Sequence, residues 1–222
     1  MTEIPNLSGP TLAPLAPASK QAPKQIVMLL HGVGADGNDL IGLAPHYQQV
    51  LPDALFVSPD APFPYDMAPF GRQWFGLQDR SEPARLKGTQ STAPILDHFI
   101  DSTLAEYGLS DDKLALVGFS QGTMMALYVG LRREKPLAGI VAQSGILIGP
   151  ELLADEIKSR PPVLLIHGDV DAVVPFDYMG KAHEALQANG VDVTAHARPG
   201  LGHGIDPEGI ALTQQFLAKV FA

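Results

Sequence analysis

Short apolar runs recur along the chain at residues 26–30, 54–58, 114–117, 139–142, 163–166 and 191–197, and each closes near a Gly, Pro or Asp. Most hold only four or five residues, too short for a buried helix and suited to strands covered on both faces. Helical patterns separate them near residues 39–50, 89–107, 121–133, 151–159, 176–189 and 206–221. Strands that alternate with helices close most simply into a mostly parallel sheet with helices on both faces. No period of 20–50 residues recurs, which excludes a repeat array. The reading is α/β, with one domain over residues 25–222 and no separate cap domain.

Two stretches depart from this alternation. Five of the 20 prolines fall before Lys24, so residues 1–24 are expected to be an extended N-terminal segment lying along a sheet edge. Residues 59–87 carry five prolines with Phe63, Tyr65, Met67, Phe70, Trp74 and Phe75, and show no helical period. A connection of that length is uncommon in a compact domain and often functional. Its aromatics are either a wall of a substrate site or packing against the sheet edge.

The formal charge of −9, from 15 basic and 24 acidic residues, argues against nucleic acid and anionic membranes as partners. The absence of Cys excludes disulfides, thiol nucleophiles and thiolate metal sites. The first residues lack a basic segment followed by an apolar one, and the longest early apolar run is far below the roughly 20 residues that span a bilayer. A cytoplasmic protein without stable membrane insertion is expected. Exposed apolar residues between 59 and 75 would serve equally as a pocket lining or as a homodimer contact.

Three motifs carry chemistry. Gly118-Phe119-Ser120-Gln121-Gly122 is a G-x-S-x-G between an apolar run and a helical pattern. Such a strand-to-helix turn lifts a Ser hydroxyl above the sheet, at a helix N-terminus that favours developing negative charge. Ser is a weak nucleophile without a base, and the base needs an orienting carboxylate. His203, in the glycine-rich Pro199-Gly200-Leu201-Gly202-His203-Gly204, is placed to reach the sheet edge as that base. His183 lies in a helical pattern and His196 at a strand end. Asp169 and Asp171 both follow the run at 163–166; spacing alone leaves both open, the first as a turn brace and the second as the triad acid. Leu29-Leu30-His31-Gly32-Val33-Gly34 follows the first confident strand, where this type of turn takes a second oxyanion donor. The backbone N–H groups of Val33 and Gln121 are the expected pair.

Residues 32–37, Gly-Val-Gly-Ala-Asp-Gly, also satisfy the dinucleotide pattern G-x-G-x-x-G. Asp36 would place negative charge where pyrophosphate should sit, and Asp53 precedes the second strand instead of ending it. That alternative also leaves Ser120, Asp171 and His203 unexplained.

From about residue 25 onward the chain resembles the phospholipase/carboxylesterase family of small α/β-hydrolases, which includes acyl-protein thioesterases. The resemblance rests on residues 30–34, on Arg72-Gln73-Trp74-Phe75, on the 118–122 motif, on residues 167–175 (His-Gly-Asp-Val-Asp-Ala-Val-Val-Pro) and on Gly202-His203, all in order. It implies an α/β-hydrolase fold, Ser120 as nucleophile, Asp171 as acid, His203 as base, and Val33 and Gln121 at the oxyanion hole. It implies no metal and no cofactor. Trp74 and Phe75 resemble a segment bordering the acyl pocket, and Met67 and Phe70 extend that candidate wall. Thr123 departs from the family pattern, where a second Gly commonly follows the elbow. The activity implied is hydrolysis of carboxylic esters, and an open site with aromatic walls and no cap domain suits small to medium ones. Alternatives are a thioesterase or lysophospholipase for longer acyl chains, or a non-catalytic ligand-binding relative.

Overall fold

The computed structural model describes residues 5–15 and 22–222. Of the extended segment expected over residues 1–24, residues 1–4 and 16–21 lie outside the described residues. In chain order the elements are β1 (Thr11–Leu12), β2 (Gln25–Leu30), α1 (Gly37–Ile41), α2 (Ala44–Gln48), β3 (Ala54–Val57), β4 (Phe63–Pro64) and β5 (Arg72–Gln73). They continue as α3 (Glu82–Tyr107), β6 (Leu114–Phe119), α4 (Gln121–Gly130), β7 (Gly139–Gln143), α5 (Leu153–Glu156), β8 (Val163–Gly168), α6 (Asp177–Ala188), β9 (Val193–Arg198) and α7 (Pro207–Val220).

Seven strands form one sheet in the order β1-β3-β2-β6-β7-β8-β9. All neighbours pair in parallel except β1, which lies antiparallel to β3 at the edge. The central strands obey the period of two. In β2, Ile26, Met28 and Leu30 join the core on one face while Val27 and Leu29 join the core on the other. In β6, Leu114 and Leu116 divide from Ala115 and Val117 in the same way. Leu96 and Ile100 of α3, Met125 and Leu127 of α4 and Leu186 of α6 cover the first face. Leu40, Tyr47 and Leu217, from α1, α2 and α7, cover the second.

The chain runs from β2 outward to β3 and later from β6 outward to β7 in the opposite direction. Beyond the carboxyl ends of β2 and β6 the connections therefore diverge, leaving the crevice in which open α/β sheets hold their sites. Leu30 pairs with Gly118 there, so the chain segments starting at His31 and Phe119 leave the sheet side by side.

Several elements differ from the sequence reading. The single helix expected over residues 39–50 is two one-turn helices, because Gly42 and Leu43 interrupt it and Pro45 opens the second. The helix expected from residue 89 begins at Glu82: Ser81 caps it, accepting a hydrogen bond from the Ala84 N–H, and Pro83 sits in the first turn where no donor is needed. The irregular connection is thus shorter than residues 59–87, and it contains an antiparallel ribbon pairing Phe63 with Gln73 and Pro64 with Arg72. The helix expected over residues 151–159 shrinks to a 3₁₀ turn and the four residues of α5, with Pro161 and Pro162 following.

All ten residues of α4 are buried, and its first turn lies directly on the end of β2. A Cβ on Gly122 would fall 1.9 Å from the Leu30 carbonyl oxygen. That oxygen belongs to a central strand and cannot yield. Gly122→Ala should therefore destabilise the fold by about 3 kcal/mol or more, read as a lowered urea midpoint; an unchanged midpoint would contradict this packing.

Candidate active site

Ser120 occupies the single residue between β6 and α4, with φ 53° and ψ −116°. A non-glycine residue in that region costs on the order of 1–3 kcal/mol and persists only where its surroundings over-determine it. Here the Ser120 N–H donates to the Gln143 carbonyl at 2.9 Å. One turn on, the Thr123 hydroxyl lies 2.7 Å from both the Gly118 and the Gln143 carbonyls. The departure from a second glycine thus adds a clamp between the elbow and β7.

His203 Nε2 stands 3.0 Å from Ser120 Oγ, and His203 Nδ1 stands 2.7 Å from Asp171 Oδ2. An ionised carboxylate can only accept, which assigns the imidazole proton to Nδ1 and leaves the Nε2 lone pair facing the Ser hydroxyl. The Phe119 ring lies 4.9 Å from the imidazole, centre to centre, and limits its swing. Each end of the loop bearing His203 is fastened. Asp169 Oδ1 accepts from the Gly200 N–H at 2.7 Å, while Asp206 pairs with Arg198 at 3.0 Å and caps α7 through the Gly209 N–H. The two carboxylates left open by spacing therefore divide in space: Asp171 faces the imidazole and Asp169 braces the loop.

Asp171 is saturated with donors. Its Oδ1 accepts from the N–H groups of Val173 and Val174, both at 2.8 Å. Its Oδ2 receives His203 Nδ1, with His167 Nε2 at 3.3 Å. Burial by itself would raise the carboxyl pKa, but the hydrogen bonds from His203, Val174 and Val173 outweigh it and hold the group below its usual value. His167, buried beneath, has its Nε2 2.9 Å from the Val174 carbonyl, so it donates there and supports the loop that presents Asp171.

Val33 and Gln121 lie on the two diverging segments, and among the described residues neither backbone N–H has a protein acceptor. Gln121 is fully buried; its side-chain Oε1 accepts from the Trp74 N–H at 2.8 Å and its Nε2 donates to the Phe75 carbonyl at 2.7 Å. The glycine loop at residues 32–37 does not cradle phosphate. The Gly34 N–H donates to Arg72, the Gly37 N–H to Asp60, and Asp36 caps the five-residue α1.

The proposed aromatic wall separates into two parts. Trp74 and Phe75 are buried in the core, with Trp74 Nε1 donating to the His31 carbonyl at 3.0 Å, so neither presents an open face to solvent. Phe70 and Met67 are 74% and 58% exposed, at the tip of the β4–β5 ribbon. A cavity of about 300 Å³ is lined by Leu86, Ile146, Leu147, Ile148, Tyr178 and Ala182 together with Arg85, and none of the four proposed wall residues lines it. Sequence reasoning offered Asp169 as a turn brace but missed the roles of Arg72, His167 and the Gln121 side chain. Their partners are mostly backbone groups distant along the chain, which leave no spacing signature.

A family model described as phospholipase/carboxylesterase matches residues 15–221. The chain belongs to that family. Esterase YpfH of Escherichia coli K12 is 32% identical over 184 residues, covering 82% of this chain and 77% of that protein. Acyl-protein thioesterase 1 of Gibberella zeae is 28% identical over 230 residues, covering 96% and 97%. The crystal structure of esterase PE8 superposes with a TM-score of 0.92 at 44% identity, over 97% of this chain and 99% of that one. The protein is an α/β-hydrolase and a carboxylic ester hydrolase. No helix among the described residues is long and apolar enough to cross a membrane.

The His31 ring is fully buried at the start of the glycine loop. Nε2 accepts from the Ala61 N–H at 3.0 Å, which leaves Nδ1 to donate to the Gly32 carbonyl at 2.8 Å. Burial lowers its pKa below the usual 6.5. The folded state thus binds fewer protons than the unfolded one, and the stability from neutral His31 is present above pH 6.5 and lost below it. Asp171, also depressed, contributes stability above its usual 3.8 that is lost as pH falls through its folded value. Urea midpoints across a pH series should therefore fall first from near neutrality and again in strong acid. His31→Gln should flatten the first limb and spare the second. A wild-type midpoint that does not change down to about pH 5 would contradict the His31 assignment.

Proposed function

We propose that this protein hydrolyses small to medium carboxylic esters through an acyl-enzyme on Ser120, with His203 as general base and then general acid and Asp171 as the orienting carboxylate. The observation that carries the reading is the continuous relay from Asp171 Oδ2 through His203 to Ser120 Oγ, at 2.7 Å and 3.0 Å. As Oγ attacks the ester carbonyl, its proton passes to His203 Nε2 and then to the leaving alkoxide. Asp171 stabilises the imidazolium without taking the proton. The carbonyl oxygen becomes negative between the Val33 and Gln121 N–H groups, next to the N-terminus of α4. Water, deprotonated by the same imidazole, then attacks the acyl-enzyme and releases the acid.

The apolar cavity lined by Leu86, Ile146, Leu147 and Ala182 is of a size suited to an acyl group of modest length. Met67 and Phe70, exposed near the oxyanion loop, are suited to contact the rest of the ester. A second reading, cleavage of thioesters, is favoured by the similarity to acyl-protein thioesterase 1 of Gibberella zeae. The same groups would serve it, since a thiolate leaves more readily than an alkoxide.

Intact-mass analysis after treatment with a fluorophosphonate tests the nucleophile: one adduct on the wild type and none on folded Ser120→Ala is expected, and an adduct of equal yield on both would reassign it. Asp171→Asn should lower kcat by on the order of 10⁴ through the wrong imidazole tautomer, while Asp169→Asn loosens only the Gly200 end of the loop and costs far less. The opposite ranking would exchange their roles. Across a series of p-nitrophenyl esters kcat/KM should peak at short or medium chains, and a maximum at long chains would favour the lysophospholipase-type alternative.

A further inference from the structure

The two oxyanion donors proposed above belong to segments 88 positions apart, and one short stretch of chain, residues 72–75, touches both segments. At one end, the Gly34 N–H donates to the Arg72 carbonyl at 2.8 Å and the Arg72 N–H donates to the Ala35 carbonyl at 2.7 Å. Gly71, at φ +82°, lets this contact close, since a Cβ there would lie 2.1 Å from the Gly34 carbonyl oxygen. Beyond it, the Arg72 guanidinium donates from Nε to the Ala61 carbonyl at 2.8 Å and from a terminal nitrogen to the Pro62 carbonyl at 3.1 Å. At the other end, the Gln121 carboxamide is spent on the backbone of Trp74 and Phe75. Between the ends, Trp74 Nε1 holds the His31 carbonyl and the Thr92 hydroxyl holds the Trp74 carbonyl at 2.7 Å.

We infer that residues 72–75 are a strap that sets the spacing of the Val33 and Gln121 N–H groups, with the Arg72 guanidinium and the Gln121 carboxamide as its positioning groups. The inference rests on the oxyanion-hole assignment above. Donors stabilise the transition state only when held at 2.7–3.1 Å from the oxyanion, and hydrogen-bond strength falls steeply with misalignment. The Gln121 N–H direction follows from the peptide plane after Ser120, whose backbone is strained and would relax if released. Glutamine alone among side chains of its length offers an acceptor to the Trp74 N–H and a donor to the Phe75 carbonyl together. Glutamate would set an oxygen against the Phe75 carbonyl, and methionine would keep the length while making neither bond.

The test compares Gln121→Met, Gln121→Glu, Arg72→Met and the Gln121→Met/Arg72→Met double variant on p-nitrophenyl acetate, with Ser120→Ala as control. Acylation and deacylation both pass through the oxyanion, so kcat should fall on the order of 10- to 100-fold in each Gln121 variant, with KM within about twofold. A trifluoromethyl ketone, which binds as an oxyanion adduct of the nucleophile, should lose affinity by the same factor as kcat/KM. A role confined to packing would lower the melting temperature without that correspondence. Because one strap carries both groups, the double variant should lose less than the product of the single losses.

Wild-type kcat and ketone affinity in folded Gln121→Met would overturn the inference, as would single losses that multiply in the double variant. Should Gln121→Met fail to fold, Arg72→Met, altered at a half-buried position, decides by the same two readouts. Undiminished turnover by Ser120→Ala would instead overturn the catalytic assignment and the strap with it. Ser120-dependent turnover that ignores both strap variants would overturn the strap alone.

Discussion

The approach of helix α4 to the ends of β2 and β6 governs the rest of the molecule. Gly118 and Gly122 let backbone meet backbone there: a Cβ on the former would lie 2.6 Å from the Gly122 carbonyl oxygen. This contact forces the chain through Ser120 with a positive φ, points its side chain out of the sheet, and leaves the first N–H of α4 without an intrahelical acceptor. The same closeness explains why all of α4 is apolar or buried. A helix set so deep has no face left for water.

Three histidines within this framework illustrate how surroundings assign roles to one side chain type. His31 is buried with both ring nitrogens bonded to backbone, and burial holds it neutral. His167 is buried as well, and its Nε2 braces the Val174 carbonyl. His203 alone is partly open to solvent, with a carboxylate on one nitrogen and a hydroxyl on the other. Only the last has a lone pair directed at a group that can give up a proton.

Much of this was legible in the sequence because it is written in local patterns. The four central strands, the elbow and the loops carrying the candidate acid and base follow from apolar runs and the glycines beside them, whereas only the family resemblance singles out Asp171 from Asp169. The shortfalls have physical causes. Proline in the first turn of α3 disguised the start of that helix, residues 82–88, as loop, since proline signals a break only where a donor is required. Gly42 split the helix between β2 and β3 despite a continuous apolar period. Trp74 and Phe75 read as pocket aromatics because composition cannot separate a ring facing a cavity from one facing the core. The carboxamide of Gln121 was overlooked for a similar reason: its partners are main-chain atoms 46 and 47 positions away, and every residue has those.

The β4–β5 ribbon has an exposed tip, and the chain leaving β5 runs directly into a buried base. Met67 and Phe70 project into solvent, whereas Trp74 and Phe75 are locked against α4 and α3. A change of side chain at the tip would meet mostly water, whereas one at the base would be felt in two helices at once, and only a few residues of backbone separate these two regimes.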